Sequence, residues 1–140
     1  MIVDEPATVP ATQAPGRVRS WAGTAITALV GAFLAFDVFG KFAAPPAVVE
    51  SMAALGFPAG QALVMGIVLA ICLVLYVIPR TAVLGAVGLT GYLGGAVTAN
   101  MRIEAPLFST TLFAVYFGLL MWVGLVLRRP ELLRVAGLRR

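Results

Sequence analysis

The sequence predicts an all-α membrane protein: a four-helix transmembrane bundle with a short amphipathic helix between the first and second spans. Three observations predict it. Apolar residues make up 61% of the 140-residue chain and charged residues only 11%, with a mean hydropathy of +1.00, whereas a soluble domain carries roughly 25% charged residues. The apolar residues gather into four runs, each near the ~20 residues that a helix needs to cross a ~30 Å hydrocarbon core. The basic residues are divided unevenly between the two ends of those runs, as they are in proteins that obey the positive-inside rule. In lipid such runs must be helical, because an open strand would leave its backbone groups unpaired.

Residues 1–20 are rich in Pro, Ala and Thr and show no periodicity; they are expected to form a disordered cytoplasmic tail. They do not read as a signal peptide, since the apolar run that follows is too long and Arg17 and Arg19 flank it as topology anchors. The membrane domain covers 21–127, with spans at 21–40, 59–78, 81–100 and 107–127. The first span carries Asp37 and Lys41 one helical turn apart near its end. Before the second lies PPAVVESMAALGFP, in which Pro45 and Pro46 suit a helix start and Gly56 followed by Pro58 a stop. Val48, Val49, Met52 and Leu55 fall on one apolar face there, which predicts a short helix at the membrane surface. Only Pro79-Arg80 joins the second and third spans, so they form an antiparallel hairpin. The third span is dense in glycine, and Gly88, Gly91 and Gly95 share a face, with Gly91-Tyr-Leu-Gly-Gly95 forming a GxxxG pattern. Small residues let helix backbones approach closely, so this face is expected to pack within the bundle or, alternatively, to make a homo-oligomer. Residues 128–140 form a basic tail.

Orientation follows from charge. Arg17, Arg19, Arg80, Arg128, Arg129, Arg134, Arg139 and Arg140 lie on one side, and only Lys41 and Arg102 on the other. Both termini are therefore expected in the cytoplasm of a multi-pass protein of the cell membrane. Trp21 and Trp122 sit toward the cytoplasmic ends of their spans, as interface aromatics do. The basic tail beside a span suits anionic lipid head groups rather than nucleic acid.

The polar minority gathers near the opposite leaflet: Asp37, Lys41, Glu50, Asn100, Arg102 and Glu104, with Tyr92 two turns below Asn100 on the same face. A charge inside a span survives mainly where it is paired, faces protein or has a task. One reading is structural, with Asp37 paired to Lys41 in the favourable acid-before-base order and the other cations anchoring at the interface. The other is a ligand pocket facing outward, lined by Asp37, Lys41, Glu50, Tyr92, Asn100 and Arg102. No histidine is present, and Cys72 stands alone in an apolar run, so the sequence offers no imidazole chemistry, no internal disulfide and no redox pair. No metal site is expected.

The stretches FDVFGK, PPAVVESMAALGFP, IPRTAVLGAVGLTGYLGGAVTANMRI and PLFSTTLFAVYFGLLMWVGLVLRRPELL resemble the DoxX-like family of small integral membrane proteins in order and spacing. Asp37, Lys41, Glu50, Tyr92 and Arg102 occupy positions that match the family pattern. At position 100 the family usually has His, and Asn100 here bears against a proton shuttle or a metal at that point. The resemblance implies a four-helix membrane bundle and a link to membrane redox systems, since distant relatives include a subunit of thiosulfate:quinone oxidoreductase. The expected function is that of a quinone- or lipid-binding or accessory component, with membrane lipids and an oxidoreductase as partners, no intrinsic cofactor and no independent catalysis. The alternatives are a catalytic subunit of a quinone-linked oxidoreductase and a small oligomeric transporter. The absence of an internal repeat or broken helix weighs against the transporter.

Overall fold

The computed structural model describes residues 15–138, and every regular element among them is helical. Helix α1 (Pro15–Ala43) opens on a proline, whose missing N–H no helix start requires. It takes in residues 15–20, expected in the tail, because Pro15 and Gly16 fall in its first turn and no proline follows before Trp21. The rest of the expected tail, 1–14, and the last two arginines lie outside the described residues. Ala44 ends α1 in the left-handed region, φ 43°, and Pro45 follows. Helix α2 (Pro46–Ala54) closes in a Schellman motif: Phe57 N–H donates to the Met52 carbonyl at 3.0 Å and Gly56 N–H to that of Ala53 at 2.9 Å. Gly56 has φ 79°, which a glycine adopts without penalty.

Helix α3 (Gln61–Val77) stops where Ile78 turns extended ahead of Pro79. Helix α4 (Ala82–Arg102) ends in the same Schellman pattern, Ala105 to Asn100 at 3.0 Å and Glu104 to Met101 at 3.1 Å, with Glu104 in the glycine position at φ 53°. After Pro106 comes a π-helical turn, Leu107–Thr111, and then α5 (Leu112–Arg128) and a short α6 (Leu132–Val135). Three helical stretches are long and apolar enough to cross a membrane: Gly16–Ala43, Ala82–Arg102 and Leu107–Arg128. Helix α3 is apolar but has only 17 residues, shorter than the expected 59–78, because Gly60 still belongs to the preceding turn.

Helices α1, α3, α4 and α5 form a ring in which α1 and α4 each pack against α3 and α5. Neighbours are antiparallel throughout. Phe33 of α1 meets Phe113 and Phe117 of α5, Thr27 of α1 meets Tyr76 of α3, and Thr90 of α4 meets Trp122 of α5. Val30, Leu34, Leu69, Tyr76, Leu89, Met121 and Leu125 fill the centre, while Phe36, Ile71, Leu84 and Leu119 stay exposed on the outside. An apolar exterior around an apolar core is what a lipid environment selects.

The ring is tight at one end. A Cβ on Gly85 would collide with the backbone of Tyr76, and one on Gly124 would stand 2.9 Å from Ile26 Cγ2. The Tyr76 hydroxyl donates to the Met121 carbonyl at 3.1 Å and lies 3.4 Å from the Thr27 hydroxyl, which accepts from Arg128 at 3.5 Å. Arg129 donates to the Pro79 carbonyl. The tight end is therefore also the arginine-rich end.

At the other end the helices diverge, and here the expected glycine face is corrected. Gly88 does make a close approach, 2.7 Å from its would-be Cβ to Cys72 Sγ, but Gly91 and Gly95 meet nothing within 4 Å. The α3–α4 hairpin is pinned at Gly85 and Gly88, and its two arms separate before they reach Gly91.

Candidate functional site

The divergence opens a cavity of about 570 Å³ between the helices. Its deeper wall is apolar, with Phe33 and Leu34 from α1, Val68 from α3, Leu93 from α4, and Ala114 and Phe117 from α5. Gly91, Gly95 and Ala96 supply α4's wall with almost no side chain, so the glycines that fail to pack the bundle are the ones that make room in it. The rings of Phe33, Phe113 and Phe117 cluster at centroid distances of 4.3–5.6 Å and close the α1–α5 side.

Polar groups stand toward the helix ends. Lys41 Nζ donates to Asp37 Oδ1 at 2.5 Å, and the Lys41 side chain is only 12% exposed against 39% for Asp37. Gly66 makes that burial feasible, since its would-be Cβ lies 3.1 Å from Lys41 Cβ and the lysine stem lies along α3. The ammonium stands 6.0 Å from the centroid of the Tyr92 ring, at the outer reach of a cation–π contact. Tyr92 lines the cavity, and among the described residues its hydroxyl has no hydrogen-bond partner. The Asn100 amide donates to the Ala96 carbonyl at 2.9 Å, leaving its oxygen and a second N–H free for another group.

Helix α2 lies across this end. Met52 is its one buried residue, and Val48, Ser51 and Leu55 also face the cavity. Val49, expected on the same face, is exposed, since a 100° step per residue carries it away from Val48 and Met52. The Ser51 hydroxyl is engaged by the Val48 carbonyl at 2.9 Å. The π-helical turn brings Thr110 to the opposite rim; such turns recur at functional sites.

Of the expected pocket residues, Asp37, Lys41, Tyr92 and Asn100 come together and Glu50 and Arg102 do not. Glu50 is on the exposed face of α2. Arg102 is the last residue of α4, turned away from the face of Tyr92, Ala96 and Asn100. Its guanidinium reaches Gly56 instead, where a Cβ would stand 2.5 Å from Nη2. Asp37 thus pairs with Lys41 and not with Arg102. The aromatic wall and Met52 were absent from the expected site, although Phe113 and Phe117, spaced i, i+4, carried a periodic signal. Trp122 donates its indole N–H to Thr90 Oγ1 at 2.9 Å. Among the described residues no three His, Cys, Asp or Glu side chains converge as a metal site would need.

The sequence profile of the DoxX-like family matches residues 25–124. That stretch holds every residue lining the cavity. Comparison with curated proteins and with solved structures gave no match.

Proposed function

The chain belongs to the DoxX-like family, and from that premise we propose that it is a four-span protein of the cell membrane that binds a small amphipathic molecule of the bilayer. The cavity carries this reading. It has an apolar wall and a few convergent polar groups, the usual build of a small-molecule site. The Tyr92 hydroxyl and the two Lys41 N–H groups not used by Asp37 are donors for a carbonyl or hydroxyl head group, and the apolar depth suits the head's ring or the start of its chain. A quinone fits this donor set and so does a lipid head. Helix α3 packs between α1 and α4, and its 17 residues give roughly 25 Å of helix, which supports a fourth crossing. The protein acts by binding, alone or beside an oxidoreductase that supplies the redox centre.

The test is purification in mild detergent, followed by mass spectrometry of retained lipids and quinones, for the parent and for Gly91→Leu. The leucine would project into the cavity from a position with nothing within 4 Å. Replacing a helical glycine should leave the melting temperature unchanged or raise stability by about 0.5–1 kcal/mol. The parent should retain an amphipathic molecule that the variant loses. Equal retention by both proteins would overturn the reading.

A further inference from the structure

A chain attached to a head group bound in the cavity must leave between two helices. We infer that it leaves between α4 and α5, through a groove that forms a lateral portal for a single hydrocarbon chain; the inference rests on the binding role proposed above. A second void of about 240 Å³ lies along this seam and shares Leu93 and Ala114 with the cavity, so the two spaces meet at those residues. Helix α5 packs less closely against α4 than against α1. The floor of the α4–α5 seam is cut low by Gly94 and Gly118; Gly94 meets nothing within 4 Å, and Gly118 touches only the tip of Leu93, whose Cδ1 would lie 3.6 Å from an added Cβ. Leu93 is therefore the one large side chain at the threshold between cavity and groove.

The chemistry of the groove fits hydrocarbon and little else. Its polar groups are already satisfied, since Thr90 donates to the Ala86 carbonyl at 2.7 Å and accepts from Trp122 at 2.9 Å. A chain lying there would leave no polar group unpaired. The Trp122–Thr90 bond also marks the far end. Thr90 lies ten residues from Asn100 along α4, roughly 15 Å at the helical rise. That separation keeps the polar head and the groove's end well apart. The α1–α5 side is closed by the phenylalanine cluster.

The test uses two probes, a dimethoxy-methyl-benzoquinone without a tail and the same ring carrying a decyl chain. Their binding is measured in one detergent, so that partition into micelles cancels between protein variants. Gly94→Leu should weaken the decyl probe by about tenfold while the tail-free ring changes by less than about twofold. Val115→Phe repeats the test from the α5 wall, and Gly91→Leu, inside the cavity, should weaken both probes. If Gly94→Leu and Val115→Phe weaken both probes equally or neither, the chain does not use this seam and the portal is wrong. If no quinone binds but a single-chain lysophosphatidylcholine does, with the same sensitivity to Gly94→Leu, the portal stands and its source is a lipid. If no probe binds the parent, the cavity reading itself fails and the portal falls with it.

Discussion

Asp37 and Lys41 stand i, i+4 on α1, and the lysine is the more deeply buried of the two. That order of burial decides which loss matters. Asp37→Asn leaves a buried ammonium without its counter-charge, whereas Lys41→Met leaves a carboxylate that is less buried and borders the cavity. In a double-mutant cycle read by thermal stability in detergent, the pair should couple by about 1 kcal/mol, with Asp37→Asn the costlier single change. The companion cycle of Asp37→Asn with Arg102→Gln should be additive to within about 0.5 kcal/mol, because Arg102 covers Gly56 and makes no ion pair with Asp37. Coupling in the second cycle and none in the first would reverse this assignment. The ion pair was legible in the sequence, because i, i+4 spacing and charge sign are local. The place of Arg102 was not. It depends on where α4 ends, and the last turn of a helix rotates each successive side chain by 100°.

Helix α2 belongs to the next scale. Its start and stop were legible because proline and glycine act locally: Pro45 and Pro46 precede it, and Gly56 completes its Schellman motif. Its attachment was not legible, since Val49 has the same apolar character as Val48 and only the packed structure distinguishes them. Helix α1 starts ahead of its apolar run for a related reason: polar residues do not end a helix, so Arg17, Arg19 and Ser20 belong to it. Among the described residues α2 has no extensive backbone packing with the ring, and Met52 is its one buried side chain. Local stability follows local burial. Met52→Ala should therefore raise hydrogen-exchange rates of the amides from Val49 to Ala54 by about tenfold or more, a loss of about 1.4 kcal/mol. The amides of α3 and α4 and the melting temperature should hardly move. If exchange rises equally throughout the protein, α2 unfolds with the bundle and is not a separately opening cover of the cavity.

At the scale of the whole molecule the bundle is asymmetric, and its two asymmetries coincide. One end is drawn together by Gly85 and Gly124 and carries Arg17, Arg19, Arg80, Arg128 and Arg129; the other is splayed and carries the cavity, with Lys41 and Arg102. The charge asymmetry was legible as a count of residues. The wedge was not, because a glycine that closes a contact and a glycine that opens a cavity look alike in sequence: Gly88 and Gly91 lie three residues apart and do opposite things. Together the two asymmetries predict which side the cavity faces. Basic residues are retained on the cytoplasmic side, so the tight end should lie in the cytoplasm and the cavity should open toward the opposite leaflet. Single cysteines at Ser51, Arg80 and Arg134, in a background with Cys72→Ala, report on this through an impermeant maleimide added to intact cells. All three positions are exposed, so accessibility alone should decide labelling. Ser51→Cys on α2 should react at once, and Arg80→Cys and Arg134→Cys only after permeabilisation. Each site answers a separate question. Labelling of Arg80→Cys from outside would mean that α3 does not cross and that its 17 residues lie on one side of the bilayer. Labelling of Arg134→Cys but not Ser51→Cys would invert the protein and open the cavity to the cytoplasmic leaflet.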